Sequence, residues 1–119
     1  KRPDKKIFQY LYSSKKPTTV IYEHGKNLAK NLISNDGTIA IRIVKNNFCK
    51  NLITQFKKPI VSTSANISGE IFPGNFNEIK DGIKNGVEYI VQYSQKEIMV
   101  SQPSSIIKLN KDGNIEIIR

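Results

Sequence analysis

The sequence predicts an α/β fold, a twisted, open, mixed sheet flanked by helices, and three observations predict it. Short runs of β-branched residues alternate with stretches whose apolar side chains recur at helical spacing, the order that marks α/β architecture. Asp112-Gly113 stands between two alternating apolar runs, a strong hairpin signal that adds an antiparallel pair to the sheet. The chain has 119 residues. That is one domain, residues 1–119, because a chain of this size hides roughly two-thirds of its unfolded surface around a single core.

Each element follows from local chemistry. Residues 4–12 predict a helix: Asp4 can cap it, and Ile7, Phe8, Leu11 and Tyr12 fall on one face. Residues 18–22, Thr-Thr-Val-Ile-Tyr, predict a strand. Residues 26–33 predict a short helix with Leu28, Ala29, Leu32 and Ile33 apolar, and Asn35-Asp36-Gly37 a turn. Residues 38–43 predict the second strand. Asn46 or Asn47 can cap a helix running to 56, whose stripe is Phe48, Cys49, Leu52, Ile53 and Phe56. Such a helix is too short to stand alone and is expected to dock on a sheet, with Cys49 as a small buried hydrophobe. Residues 59–62 predict a third strand, and residues 63–74 show little periodicity. Asn75 or Asn77 can cap a helix to 84, with Phe76, Ile79 and Ile83 inward. Residues 89–91 predict a fourth strand and residues 93–102 a loop. Residues 104–109 and 114–118 form the hairpin.

Composition narrows the function classes. There are 19 Lys and Arg against 10 Asp and Glu, a net charge of +9. The lysines are scattered and few aromatics interleave with them, so the charge reads either as a solvated Lys-rich surface or as a footprint for a polyanion such as RNA. No apolar run approaches the ~18 residues of a membrane span, and the charged start, Lys1-Arg2-Pro3-Asp4-Lys5-Lys6, is not a signal peptide. The expectation is a soluble, cytoplasmic protein without a membrane partner. The single Cys49 fits a reducing compartment and excludes both an internal disulfide and a Cys-rich metal site.

Chemistry concentrates in Lys58-Pro59-Ile60-Val61-Ser62-Thr63-Ser64-Ala65-Asn66-Ile67-Ser68-Gly69. A strand end followed by hydroxyls, an amide and free backbone N–H groups makes a cradle for phosphate oxygens or a carboxylate. The alternative is a turn whose side chains hydrogen-bond their own backbone. Elsewhere the sequence offers no phosphate loop of the Gly-x-x-x-x-Gly-Lys-Ser/Thr kind, no metal-ligand spacing and no base for Ser62, Ser64 or Ser68. His24, before Gly25, reads as a surface residue. No side chain is singled out for covalent or acid–base work. What remains is a binding shell: Thr18, Thr19, Arg42, the Ser/Thr/Asn stretch, Ser104, Ser105 and Arg119. Arg42, between Ile41 and Ile43, points away from both, either into solvent or toward an anionic ligand. Such a shell suits catalysis by positioning and charge stabilisation, as in adenylyl transfer.

Five segments, in order, resemble one family. The stretch from Lys58 to Gly69 resembles the Ser-x-Asn signature of the YrdC-like threonylcarbamoyl-AMP synthases. Lys16-Pro17-Thr18-Thr19-Val20-Ile21 is similar to the family's Gly-Pro-x-Thr strand, and Thr38-Ile39-Ala40-Ile41-Arg42-Ile43 to its Arg-bearing strand. Pro103-Ser104-Ser105-Ile106-Ile107 resembles its Pro-Ser segment, and Asn114-Ile115-Glu116-Ile117-Ile118-Arg119 its closing strand. The resemblance implies an α/β open sheet with a positively charged cavity. It implies formation of threonylcarbamoyl-AMP and diphosphate from L-threonine, bicarbonate and ATP, with Mg²⁺ accompanying ATP, for the threonylcarbamoyladenosine modification of tRNA. By resemblance Ser62, Ser64, Asn66 and Arg119 bind the nucleotide, and Thr19, Arg42 and Ser104 hold the substrate, with no metal-ligating side chain. The family's Tyr-Pro-Thr-Asp-Thr strand and Lys-x-Arg motif are absent, and Lys1-Arg2-Pro3 stands too close to Lys16-Pro17 to serve as the latter. The chain is therefore expected to be the C-terminal portion of the domain, with the N-terminal part of the fold missing and synthase activity weak or absent. Unpaired strands and bare apolar faces would then drive self-association or recruit another chain. Two other readings compete: a non-catalytic relative binding double-stranded RNA or tRNA, and a plain structural domain.

Overall fold

A computed structural model describes residues 5–97 and 103–119 of the chain. They cluster into two compact units, residues 5–57 with 103–119, and residues 58–97. The proposed cap Asp4 lies outside the described residues, as does the end of the predicted 93–102 loop.

The first unit carries the sheet. Its elements are helix α1 (Lys5–Ser13), strand β1 (Thr18–Tyr22), strand β2 (Ile39–Arg42), helix α2 (Asn47–Phe56), strand β3 (Ser105–Leu109) and strand β4 (Ile115–Ile117). The strand order is β2-β1-β3-β4 in one four-stranded open sheet. β1 pairs antiparallel with β2 and parallel with β3, and β3 pairs antiparallel with β4. The α/β class and the mixed sheet expected from the sequence are what the chain adopts.

Alternation along the strands sorts the sheet into two faces. Val20 faces the same side as its partners Ile41 and Ile107, and Ile107 the same side as Ile117. On this side Ile7 and Leu11 of α1 pack with Val20 and Ile107, and Tyr22, Ile43 and Leu109 flank them. Val20 is 1% exposed and marks the centre of the core. Ile7 and Leu11 are four apart, one helical face, as the sequence requires. Burial holds the Tyr22 phenol above its ordinary ionisation range.

The connections use the turn chemistry written in the sequence. Ser34 accepts from the Gly37 N–H at 2.8 Å, and Gly37 sits at φ +82°, where a side chain would be strained. Thr38 donates through its backbone N and its Oγ1 to Asp36 Oδ1, at 3.0 and 2.7 Å, which holds that exposed carboxyl below the usual carboxylate range. In the hairpin, Gly113 donates to Asn110 O at 3.0 Å with φ +87°, and Asn110 donates to Asn114 O at 2.9 Å. That is a three-residue connection with glycine in the left-handed position. Asn46 caps α2 by accepting from Cys49 N at 3.1 Å.

Several sequence expectations need correction. Residues 26–33 form only a single 3-10 turn, Lys30–Leu32; Gly25, just before them, packs so close that a Cβ there would lie 3.1 Å from Ile33. The α2 stripe is not buried; Leu52 is 46% and Phe56 56% exposed, and Cys49 is half-buried. α1, not α2, supplies the helix side chains at the centre of the core.

The second unit, described from residue 58 to 97, contains no strand among those residues. Residues 59–62 and 89–91 are apolar and β-branched as expected, but no neighbour pairs with them, and Val61 is 67% exposed. Propensity marks a segment fit for a ladder without supplying the partner. The helix expected to 84 is divided into a 3-10 turn, Phe76–Glu78, and helix α3 (Asp81–Asn85). Asn75 caps the 3-10 turn, accepting from Glu78 N at 3.3 Å. Lys84 Nζ stands 4.4 Å above the Phe76 ring.

Candidate functional site

In the first unit the sheet face opposite α1 gathers polar groups. Register places Arg42 of β2 directly across from Thr19 of β1, so both project to the same side. Thr19 Oγ1 lies 2.7 Å from Ser104 Oγ, just before β3. The Ser104 carbonyl in turn accepts from Arg119 Nε at 3.1 Å and Nη2 at 2.8 Å. Four side chains singled out in the sequence, Thr19, Arg42, Ser104 and Arg119, thus belong to one side of one sheet.

Arg119 reaches that side through a β-bulge. Regular pairing of Ile107 with Ile117 sets Ile106 opposite Ile118. Instead both Ile118 and Arg119 donate to Ile106 O, at 2.9 and 3.1 Å, while Ile106 donates to Arg119 O at 3.0 Å. Two residues therefore oppose one, the arrangement that re-aims a side chain at a strand end. Strict alternation from Ile117, on the core side, would return residue 119 to the core side. The bulge keeps the guanidinium on the side of Thr19.

The electrostatics of this face are cationic. Among the described residues neither Arg42 nor Arg119 is paired with a carboxylate, and both are exposed. Two guanidinium groups beside two hydroxyls can bind a phosphate or carboxylate through charge-assisted hydrogen bonds. Among the described residues no three His, Cys, Asp or Glu side chains gather where they could hold a metal.

In the second unit the signature stretch is a loop. Ser62 and Ser64 are exposed, and among the described residues neither hydroxyl has a hydrogen-bond partner. Asn66 behaves differently. Its Nδ2 donates to Ile67 O at 3.0 Å and to Glu70 O at 3.2 Å. Of the two sequence readings of this stretch, self-bonding describes Asn66, while Ser62 and Ser64 keep open hydroxyls. The turn that follows runs from Ile67 to Glu70, closed by Glu70 N donating to Ile67 O at 3.0 Å. Gly69 takes φ +84° at its third position, as a type II turn demands. Glu70 Oε2 then meets Lys80 Nζ at 2.6 Å.

Two features of these regions escape a sequence reading. The bulge at Ile118 and Arg119 has no compositional mark, since neither residue is glycine. The Glu70–Lys80 ion pair joins residues ten positions apart in a segment without periodicity; the opposite charges are visible, their meeting is not.

Comparison with known proteins adds an independent line. The profile of the family named Sua5_yciO_yrdC, described as telomere recombination, matches residues 4–119. The threonylcarbamoyl-AMP synthase of Wigglesworthia glossinidia brevipalpis is 49% identical over 49 residues, 41% of this chain and 25% of that protein. The threonylcarbamoyl-AMP synthase of Pseudoalteromonas translucida (strain TAC 125) is 36% identical over 73 residues, 61% of this chain and 39% of that protein. The chain thus matches well under half the length of either relative. No solved structure matches it significantly.

Proposed function

Because the chain belongs to the Sua5_yciO_yrdC family, we propose that it takes part in L-threonylcarbamoyladenylate synthesis, the activity named for its two relatives. ATP, L-threonine and bicarbonate are the substrates, threonylcarbamoyl-AMP and diphosphate the products, and tRNA modification the destination. The observation that carries the reading is the cluster of Thr19, Ser104, Arg42 and Arg119 on one side of the sheet.

The chemistry asks for such groups. A carbamate oxygen bonds to the α-phosphorus, and the bond from that phosphorus to the diphosphate oxygen breaks. Negative charge builds on the phosphoryl oxygens and on the departing diphosphate. Fixed guanidinium and hydroxyl donors stabilise that charge without giving or taking a proton. Arg42 and Arg119 supply the positive charge, and the Thr19–Ser104 pair orients a hydroxyl or carboxylate of the amino acid. In the second unit, taken by itself, Ser62 and Ser64 have exposed hydroxyls able to donate to phosphate oxygens. Mg²⁺ enters with ATP; the described residues present no carboxylate set to ligate it.

Calorimetric titration of ATP and AMP, with and without L-threonine, tests the reading. Binding that disappears in Arg119→Ala supports it. Equal binding by both proteins sinks it. A diphosphate-release assay with bicarbonate then asks whether the chain turns over. The net charge of +9 favours one second reading, RNA binding. In that case affinity for double-stranded RNA falls steeply and log-linearly with salt, with a slope set by the phosphates contacted. The chain's sheet edges favour self-association: β4 ends the sheet and its Ile117 is 79% exposed. Sedimentation of the chain beside Ile117→Lys tests this, and a monomer in both cases rules it out.

A further inference from the structure

We infer that Ile106 is a specificity-determining residue, the apolar wall against which the methyl group of L-threonine is read, and that it sets this substrate apart from L-serine. The inference rests on the reading of Thr19 and Ser104 as the pair that holds the amino acid. Threonine and serine share a hydroxyl on Cβ and differ by one methyl. A site that prefers threonine needs a hydrogen-bonding group for the hydroxyl and an apolar surface beside it for the methyl. The sheet face opposite α1 carries both. Thr19 of β1 is the register partner of Ile106 of β3. Paired strands stand about 4.8 Å apart, so the two side chains are neighbours on one side. Ser104 comes two residues before Ile106, and alternation returns it to the same side, where its Oγ meets Thr19 Oγ1 at 2.7 Å. Ile106 therefore adjoins the hydroxyl pair both across the sheet and along β3. On the other flank of Thr19 stands Arg42. The row presents, in order, partners for a carboxylate, a hydroxyl and a methyl, the groups that L-threonine carries besides its amine.

Ile106 is available to a ligand because the core does not use it. The core cluster is Ile7, Leu11, Val20 and Ile107, with Tyr22, Ile43 and Leu109 packed against it. Ile106 faces the other way and is half-buried. Its backbone is fixed on the β4 flank: its carbonyl accepts from Ile118 N at 2.9 Å and Arg119 N at 3.1 Å, and its N–H donates to Arg119 O at 3.0 Å. Branching at Cβ stiffens the side chain further. A wall held in this way discriminates without first having to be ordered, and so loses less on binding. Ile21 shares this side, but its partner is Lys108, farther along the sheet from Ser104.

Calorimetry on the full chain tests the wall with L-threonine, L-serine and L-allo-threonine, in which hydroxyl and methyl exchange places on Cβ. The unmodified chain should bind L-threonine about tenfold more tightly than either of the others. Ile106→Ala should weaken L-threonine about fivefold more than L-serine, which cuts the preference to about twofold. Ile106→Val, which shortens the wall by one carbon, should fall between; if Ile106→Ala does not fold, this variant decides, with a drop in preference of about twofold expected. Loss of both ligands by one factor, or an unchanged preference, overturns the inference. Methyl NMR gives a second reading. The Ile106 δ1-methyl signal should move more with L-threonine than with L-serine at equal saturation, and an unmoved signal also overturns the wall. Equal binding of L-threonine and L-serine by the unmodified chain defeats the wall but leaves Thr19 and Ser104 as holders of the amino acid. Binding of neither defeats that holding pair as well.

Discussion

Thr19 Oγ1 and Ser104 Oγ meet at 2.7 Å although 85 positions separate them in the chain. The contact is a by-product of the parallel β1–β3 pair, which lays Thr18 beside Ser105 and Thr19 beside Ile106. Ser104 therefore has two duties, a hydroxyl toward Thr19 and a carbonyl toward Arg119. The Thr19→Val exchange keeps the branched shape and deletes the hydroxyl. It should cost about 0.5–1.5 kcal/mol in denaturant unfolding and weaken L-threonine binding in calorimetry. A stability change with no change in threonine binding would remove Thr19 from the site.

Arg119 holds the Ser104 carbonyl with Nε and Nη2 at once. Lysine keeps the charge but lacks the planar fork. Arg119→Lys should therefore lose most of the ATP affinity lost in Arg119→Ala, roughly tenfold, about 1.4 kcal/mol. Full retention by the lysine variant would mean that charge alone matters at this position.

The core of the first unit is small, so one truncation should be felt strongly. Leu11 is buried against Val20 and Ile107. Leu11→Ala should destabilise by about 2–5 kcal/mol, read as a lowered urea midpoint with an unchanged slope. A loss under about 1 kcal/mol would show that α1 is not the lid of this core.

Two titrations give stability opposite slopes at the ends of the pH scale. Thr38 bonds hold the Asp36 carboxyl below its usual range. A depressed folded value stabilises above the ordinary carboxylate range and is lost as pH falls through the folded value. Asp36→Asn should flatten the acid limb of thermal midpoint against pH. Burial raises the Tyr22 phenol, so its contribution is whole below its ordinary value of about 10 and declines as pH rises beyond it. Tyr22→Phe should flatten the alkaline limb. Unchanged limbs would place the proton linkage elsewhere.

How much of this was legible depended on the kind of information each feature carries. The hairpin was readable because Asp112-Gly113 is local chemistry, and the chain folds it with Gly113 at φ +87°. α1 and α2 were readable from spacing, down to the Asn46 cap. Residues 59–62 and 89–91 were misread as strands because a strand is a relation between two segments, and a sequence shows only one of them. The α2 stripe was misread as buried for a similar reason: amphipathicity tells which face is apolar, not what will cover it. The site residues were picked out as a polar shell and given their roles by resemblance, while the convergence of Thr19, Ser104 and Arg119 required the parallel register. The bulge that aims Arg119 had no signal, since Ile118 is an ordinary strand residue.

That bulge makes the end of the chain sensitive to counting. Side chains on a strand are assigned to one side or the other by parity, and the extra residue opposite Ile106 shifts the parity once, just before Arg119. Removing Ile118 would restore strict pairing and set the arginine opposite Ile106, still on the side of Thr19 but without the bulge. Inserting one residue after Ile118 would instead push the arginine out of step. Relatives that keep this arginine are thus expected to hold the interval from the hairpin glycine to it at this length with the bulge, or one residue shorter without it, while tolerating wide exchange of the letters between. Length, more than identity, is what this segment must inherit.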